Sequence, residues 1–128
     1  MKDLFKAIYT RFTATPTTAL YTALGGRLYN TGAPVGSLLP LAVMSLITNI
    51  SDQLMEKCTV QISLFSDKAS DTEIFALYDA LIALYDNCDL PLLGHPSNLG
   101  MERGHSVLFK EEGVWQYVVE YEVWVERK

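Results

Sequence analysis

Apolar residues recur at a helical period near the start of the chain, at a period of two in its middle and at its end, and at a helical period once more in between. Leu4, Phe5, Ile8 and Phe12 share one side of a helix over Asp3 to Phe12, because repeats of three and four residues stack side chains on one face. Thr15 then reads as an N-cap with Pro16 in the first helical position, and Leu20, Ala23 and Leu24 lead to the stop signal Gly25-Gly26. The alternative is one kinked helix, since Pro16 has no N–H and disfavours helical geometry at Thr15.

Arg27-Leu28-Tyr29 has the make-up of a short strand. Asn30 to Pro40 contains Gly32, Pro34, Gly36 and Pro40 without a period, and reads as a flexible surface loop. Leu41 to Ile50 and Cys58 to Phe65 are predicted strands joined by a hairpin loop over Asn49 to Glu56. The second alternates, with Cys58, Val60, Ile62 and Leu64 on one face and Thr59, Gln61 and Ser63 on the other.

Ser70-Asp71-Thr72-Glu73 has the form of a capping box. Behind it, Ile74, Leu77, Tyr78, Leu81, Ile82 and Tyr85 form the stripe of a helix over Asp71 to Asp86. Asn87 to Gly104 holds Pro91, Gly94, Pro96, Gly100 and Gly104 and is expected to be a long irregular connection. Ser106 to Lys110 and Val114 to Val125 complete the set as strands around Glu111-Glu112-Gly113. In the last, Trp115, Tyr117, Val119, Tyr121, Val123 and Val125 face one way, while Val118 and Trp124 interrupt the polar side. The sum is an α+β fold: an antiparallel or mixed sheet of about four strands, a long helix on one face, and N-terminal helices.

Length and composition set the limits. The 128 residues suit a single domain over 1–128, and 49% apolar against 20% charged residues excludes a disordered chain. The net charge of −5 argues against broad electrostatic binding of nucleic acid. It is unevenly spread: residues 1–66 carry five basic and three acidic side chains, residues 67–128 five and twelve, which is +2 against −7. Such a dipole suits head-to-tail association. No secretion signal is read, because charges at positions 2, 3, 6 and 11 interrupt any apolar run. Leu28 to Ser51 is uncharged but broken by Pro and Gly, so no membrane helix is expected there.

The chemistry-bearing residues are sparse. Cys58 and Cys88 are too few and too far apart for a disulfide framework. With His95 and His105 they have the ligand types of a zinc site, but no two sit at short ligand spacing. Cys58 falls on the apolar side of its strand, where cysteine acts as a small hydrophobe. Gly25-Gly26 follows a helix instead of opening one and makes no phosphate cradle. Glu111-Glu112 and Glu120/Glu122 belong to a turn and a solvated strand face, without the desolvation a general acid needs. No enzyme, cofactor or metal is expected.

The order of elements carries a resemblance. Helices precede Gly26-Arg27-Leu28-Tyr29, a loop with Ala33-Pro34 follows, and Leu39-Pro40-Leu41-Ala42-Val43 opens a strand. Val60-Gln61-Ile62-Ser63-Leu64-Phe65-Ser66 runs into the helix from Asp71, and Tyr117-Val118-Val119-Glu120-Tyr121-Glu122-Val123 closes the chain. The chain resembles the tail-completion, or tail-terminator, proteins of long-tailed bacteriophages and prophages. That resemblance implies a structural virion protein, made in the host cytoplasm, forming a ring, commonly a hexamer, at the head-proximal end of the tail. There it would stop tube growth and join the head connector.

The implied partners are further copies of the chain, the tail-tube protein, and a head connector or neck protein. Neither membrane nor sequence-specific nucleic acid is implied, although a ring lumen passes DNA. The loops Asn30–Pro40 and Leu90–Gly104 are the expected partner-binding segments, and Arg27, Tyr29, Pro34, Pro40, His95, Arg103, His105 and Trp124 the candidate contacts. The competing readings are a head–tail connector or neck adaptor and a small cytosolic α+β binding module.

Overall fold

The computed structural model describes residues 2–14, 19–30, 32, 36, 38–51, 55–86 and 98–126. Three helices, α1 (Lys2–Ala14), α2 (Ala19–Leu24) and α3 (Thr72–Tyr85), accompany five strands: β1 (Leu28–Asn30), β2 (Leu41–Ser51), β3 (Met55–Ser66), β4 (Asn98–Glu111) and β5 (Val114–Glu126). The strands form one sheet in the order β1-β2-β3-β5-β4. All neighbours are antiparallel except β1 and β2. The fold is the expected α+β, and the short strand read at Arg27-Leu28-Tyr29 is β1, which joins the four longer strands in parallel with β2 and makes the sheet mixed. Whether Pro16 caps or kinks a helix concerns residues outside those described.

The glycine stop works as read. Gly26 N–H donates to the Tyr21 carbonyl at 3.2 Å and Gly25 N–H to that of Thr22 at 3.3 Å, closing α2 with the paired bonds of a Schellman motif. Gly25 takes φ 59°, a conformation that disfavours any Cβ. Two residues on, the Arg27 carbonyl accepts from the Ala42 N–H at 2.9 Å, and the chain enters β1 beside β2.

The period-two residues of β3 meet those of β5 in register: Cys58 with Val123, Val60 with Tyr121, Ile62 with Val119, Leu64 with Tyr117. All but Tyr117 of these eight are sealed from solvent. Onto this face α3 lays Ile74, Leu77, Leu81 and Tyr85, and α1 and α2 add Ile8, Phe12, Leu20 and Leu24. Two bonds fasten α1 to the end of α3: the Tyr85 hydroxyl donates to the Ile8 carbonyl at 2.7 Å, and Arg11 Nε to the Leu84 carbonyl at 2.7 Å. The second also places a cation at the negative end of the helix dipole.

Three local expectations are corrected. The capping box does not form: the N-cap is Asp71 without a side-chain bond. Instead, Ser70 Oγ accepts from Thr72 N–H at 3.2 Å, and Glu73 accepts a 2.6 Å bond from the buried Ser66 hydroxyl. A buried hydroxyl needs that partner more than an exposed helix end needs a cap, because water solvates the latter. Strands β2 and β3 run on to Ser51 and Met55, leaving less loop than Asn49 to Glu56. Finally, β4 begins at Asn98, so residues 98–104 of the predicted connection are strand. Its glycines hid this, and pairing with β5 accommodates them through irregularities at Leu99/Glu102 and Arg103/His105.

The β4–β5 hairpin turns on two residues, since Glu111 pairs with Val114. Glu112 and Gly113 both have positive φ, 51° and 80°, as a tight turn matching strand twist requires. Gly113→Ala is expected to lower the unfolding free energy by about 1–2 kcal/mol, read by urea denaturation. An unchanged midpoint would show that the turn relaxes at no cost.

Candidate assembly interface

Because opposed residues in an antiparallel pair share a face, the register writes out the side of the sheet that the helices leave open. Near the β4–β5 turn, Leu41, Phe65, Gln116 and Phe109 form one row across four strands, and Val43, Ser63, Val118 and Val107 the next. Below them come Ser45, Gln61, Glu120 and His105, then Glu122 with Thr59 and Glu102, and then Lys57 with Trp124. The face is apolar at one end and charged at the other. Val107 is 41% and Phe109 40% exposed, and Leu38 70%. Over the outer face of β2 and β3 lies an open groove of about 460 Å³, lined by Leu41, Val43, Gln61, Ser63 and Phe65 of the strands and by Gly32 and Leu39 of the segment before β2, among others.

The candidate contacts fall into separate places. Arg27 donates from Nε to the Pro40 carbonyl at 2.8 Å, tying β1 to the entry of β2. Tyr29, half-buried, pairs with Val43 on that edge. Trp124 is also half-buried, with Lys57 Nζ 5.6 Å from its ring, and Lys57 reaches Glu122 at 3.2 Å. His105 is exposed on β4 beside Glu120. Pro34, His95 and Cys88 lie outside the described residues. Arg103 therefore sits on a strand, not on the loop assigned to it, His105 follows on the same strand just past that loop, and the proposed segment Leu90–Gly104 is loop in no part that the structure describes.

Arg103 has an internal task. Its guanidinium lies 3.5 Å from Asp86 Oδ2, donates to the Tyr78 hydroxyl at 2.5 Å and sits 5.7 Å from the Tyr78 ring centre. Tyr78 stacks on Tyr117 at 4.1 Å, and Asp86 accepts a 2.6 Å bond from the Tyr121 hydroxyl. Burial, followed by this bond to Asp86, pushes the Tyr121 phenol far above the usual tyrosine range. Burial and the adjacent Tyr78 raise Tyr117 as well. This network locks α3 to β4 and β5, so Arg103→Glu would set two carboxylates side by side and perturb the fold before any partner.

Among the described residues no three His, Cys, Asp or Glu side chains gather as a metal site, and no helix is long and apolar enough to cross a membrane. Cys58 is buried among apolar neighbours. Sequence reasoning missed Phe75, Val107 and Phe109 as exposed residues. For the two on β4 the available signal was Val118 on the polar side of β5, which its cross-strand neighbours extend into a patch.

No family model and no curated protein matches the chain. Its fold is shared with solved structures. A chain from the virion of a native gene transfer agent particle aligns at 20% identity over 97% of this chain and 95% of that one, with a TM-score of 0.76. A second solved chain, which carries no functional description, aligns at 10% identity over 100% and 96%, with a TM-score of 0.63. The chain thus has, end to end, the α+β fold found in a component of a virion particle.

Proposed function

We propose that this protein is a structural, non-enzymatic component of a phage-type virion, acting as the tail terminator. In this reading its copies form a ring, a hexamer by the family resemblance, on the head-proximal end of the tail tube. The ring ends tube polymerisation and presents its other side to the head connector. The observation that carries the reading is the near-complete overlap with a chain of the gene transfer agent virion. The open, part-apolar sheet face supports it, since a surface of that kind is built for a partner.

Deletion of the gene from a phage that encodes it, followed by electron microscopy of the lysate, tests the role. Tails longer than wild type and detached from heads are expected, with both defects repaired by the gene supplied in trans. Tails of normal length that fail only to join heads would move the assignment to a neck adaptor. Normal-length tails joined to heads would end the structural reading.

A further inference from the structure

The sheet is open at both edges among the described residues. On one side β1 pairs only with Ala42–Met44, while β2 continues to Ser51. The seven residues Ser45–Ser51 therefore have β3 on one flank and no described strand on the other. Ile47, at the register shift within this stretch, is 48% exposed. β2 contains no charged residue and no proline, two of the devices that keep strand edges from pairing. The backbone groups that point away from β3 form a template for an added strand.

The other edge is β4, which pairs with β5 alone. Both of its register shifts lie before His105, and the seven residues His105–Glu111 run opposite β5 without interruption. Three antiparallel steps separate β2 from β4, so the two run in opposite directions. A second copy set beside the first, with its helices on the same side of the sheet, therefore brings its β4 antiparallel to β2, the more stable ladder.

The short β1 fixes where that strand fits. It occupies the place beside β2 as far as Met44, so an incoming β4 reaches no higher than Ser45. Within a subunit Phe109 stands level with Leu41, and Glu111 two residues above it. Each copy is thus displaced from the last by at least six residues along the strands, about 20 Å, across four strands that span about 19 Å. The strands of the joined sheet tilt by at least about 45°, at the steep end of the range in which sheets close on themselves. Pairing β2 with β2, or β4 with β4, closes after two copies and builds no ring.

We infer that Ser45–Ser51 of one copy pairs antiparallel with the end of β4 in the next, so that one hydrogen-bonded sheet runs through the assembly. This inference rests on the ring reading above and names its joint. Lys110 and Glu111 then meet an uncharged strand, and no like charges stand opposite one another.

The test mixes full-length copies carrying Ser45→Cys with copies carrying Glu111→Cys, both with Cys88→Ser, and oxidises them with and without purified tail tubes. Disulfide-linked dimers are expected in the mixture, about tenfold above either variant alone. Ile47→Lys, which puts a charge on the accepting edge, should weaken assembly about tenfold and leave the melting temperature of the subunit unchanged. Rings that form without the mixed link, links within the Glu111→Cys sample alone, or Ile47→Lys protein that assembles normally overturn this joint and leave the ring reading standing. Wild-type protein that forms no ring, even on tube ends, removes the ring reading and this joint with it.

Discussion

Leu81→Ala is expected to lower the unfolding free energy by about 2–5 kcal/mol, among the largest losses available to a single substitution in this chain. Leu81 is fully buried, on the same stripe of α3 as Ile74, Leu77 and Tyr85. That stripe lies between the sheet and the N-terminal helices, and the anchors on either side resist collapse into a void. Tyr85 is bonded to Ile8, Arg11 to Leu84, and Asp86 to Tyr121. Since a cavity that cannot shrink forfeits contacts as well as transfer energy, the upper half of the range applies. Urea unfolding followed by circular dichroism measures it, and a loss below about 1 kcal/mol would mean that α3 is not held as described.

The second large effect is alkaline. In the unfolded chain the Tyr121 phenol loses its proton near its ordinary value of about 10. In the fold, burial and the bond to Asp86 keep the proton on to well above that pH. Above pH 10 the folded state therefore binds more protons than the unfolded state. The contribution is fully present below pH 10 and is lost as pH rises beyond it, at about 1.4 kcal/mol per pH unit. Tyr121→Phe removes this dependence while giving up about 0.5–1.5 kcal/mol at neutral pH for the lost hydrogen bond. Unfolding curves between pH 9 and 12 should be flatter for the variant by about the slope given. Parallel curves would show that the hydroxyl is not withheld from solvent.

The pattern residues were read correctly where a single element decided their fate. Cys58, Val60, Ile62 and Leu64 are buried together because a strand alternates whatever lies beside it. Ile74, Leu77, Leu81 and Tyr85 are buried because a helix has one stripe to offer. Reading failed where a neighbour decided. Residues 98–104 carry two glycines, and β5 extends them into strand by supplying partners across bulges. Glu73 is positioned to cap its own helix, yet turns to Ser66, whose burial belongs to the sheet. Arg103 looked like a loop cation available to a partner, and is held by Asp86 and Tyr78 from an element seventeen or more residues away.

By itself the sequence determined the α+β class, the end of α2 at Gly25-Gly26, the faces of β3 and β5, the absence of a convincing catalytic spacing, and the opposed charges of its two halves. These follow from local geometry and from sums over residues, which need no knowledge of neighbours. Only the tertiary structure decided that the sheet has a parallel fifth strand and that Val107, Phe109, Phe65 and Val118 come together on an open face. Those facts depend on strand order and register, which are fixed by pairing between segments distant in the chain, and no local period carries that information.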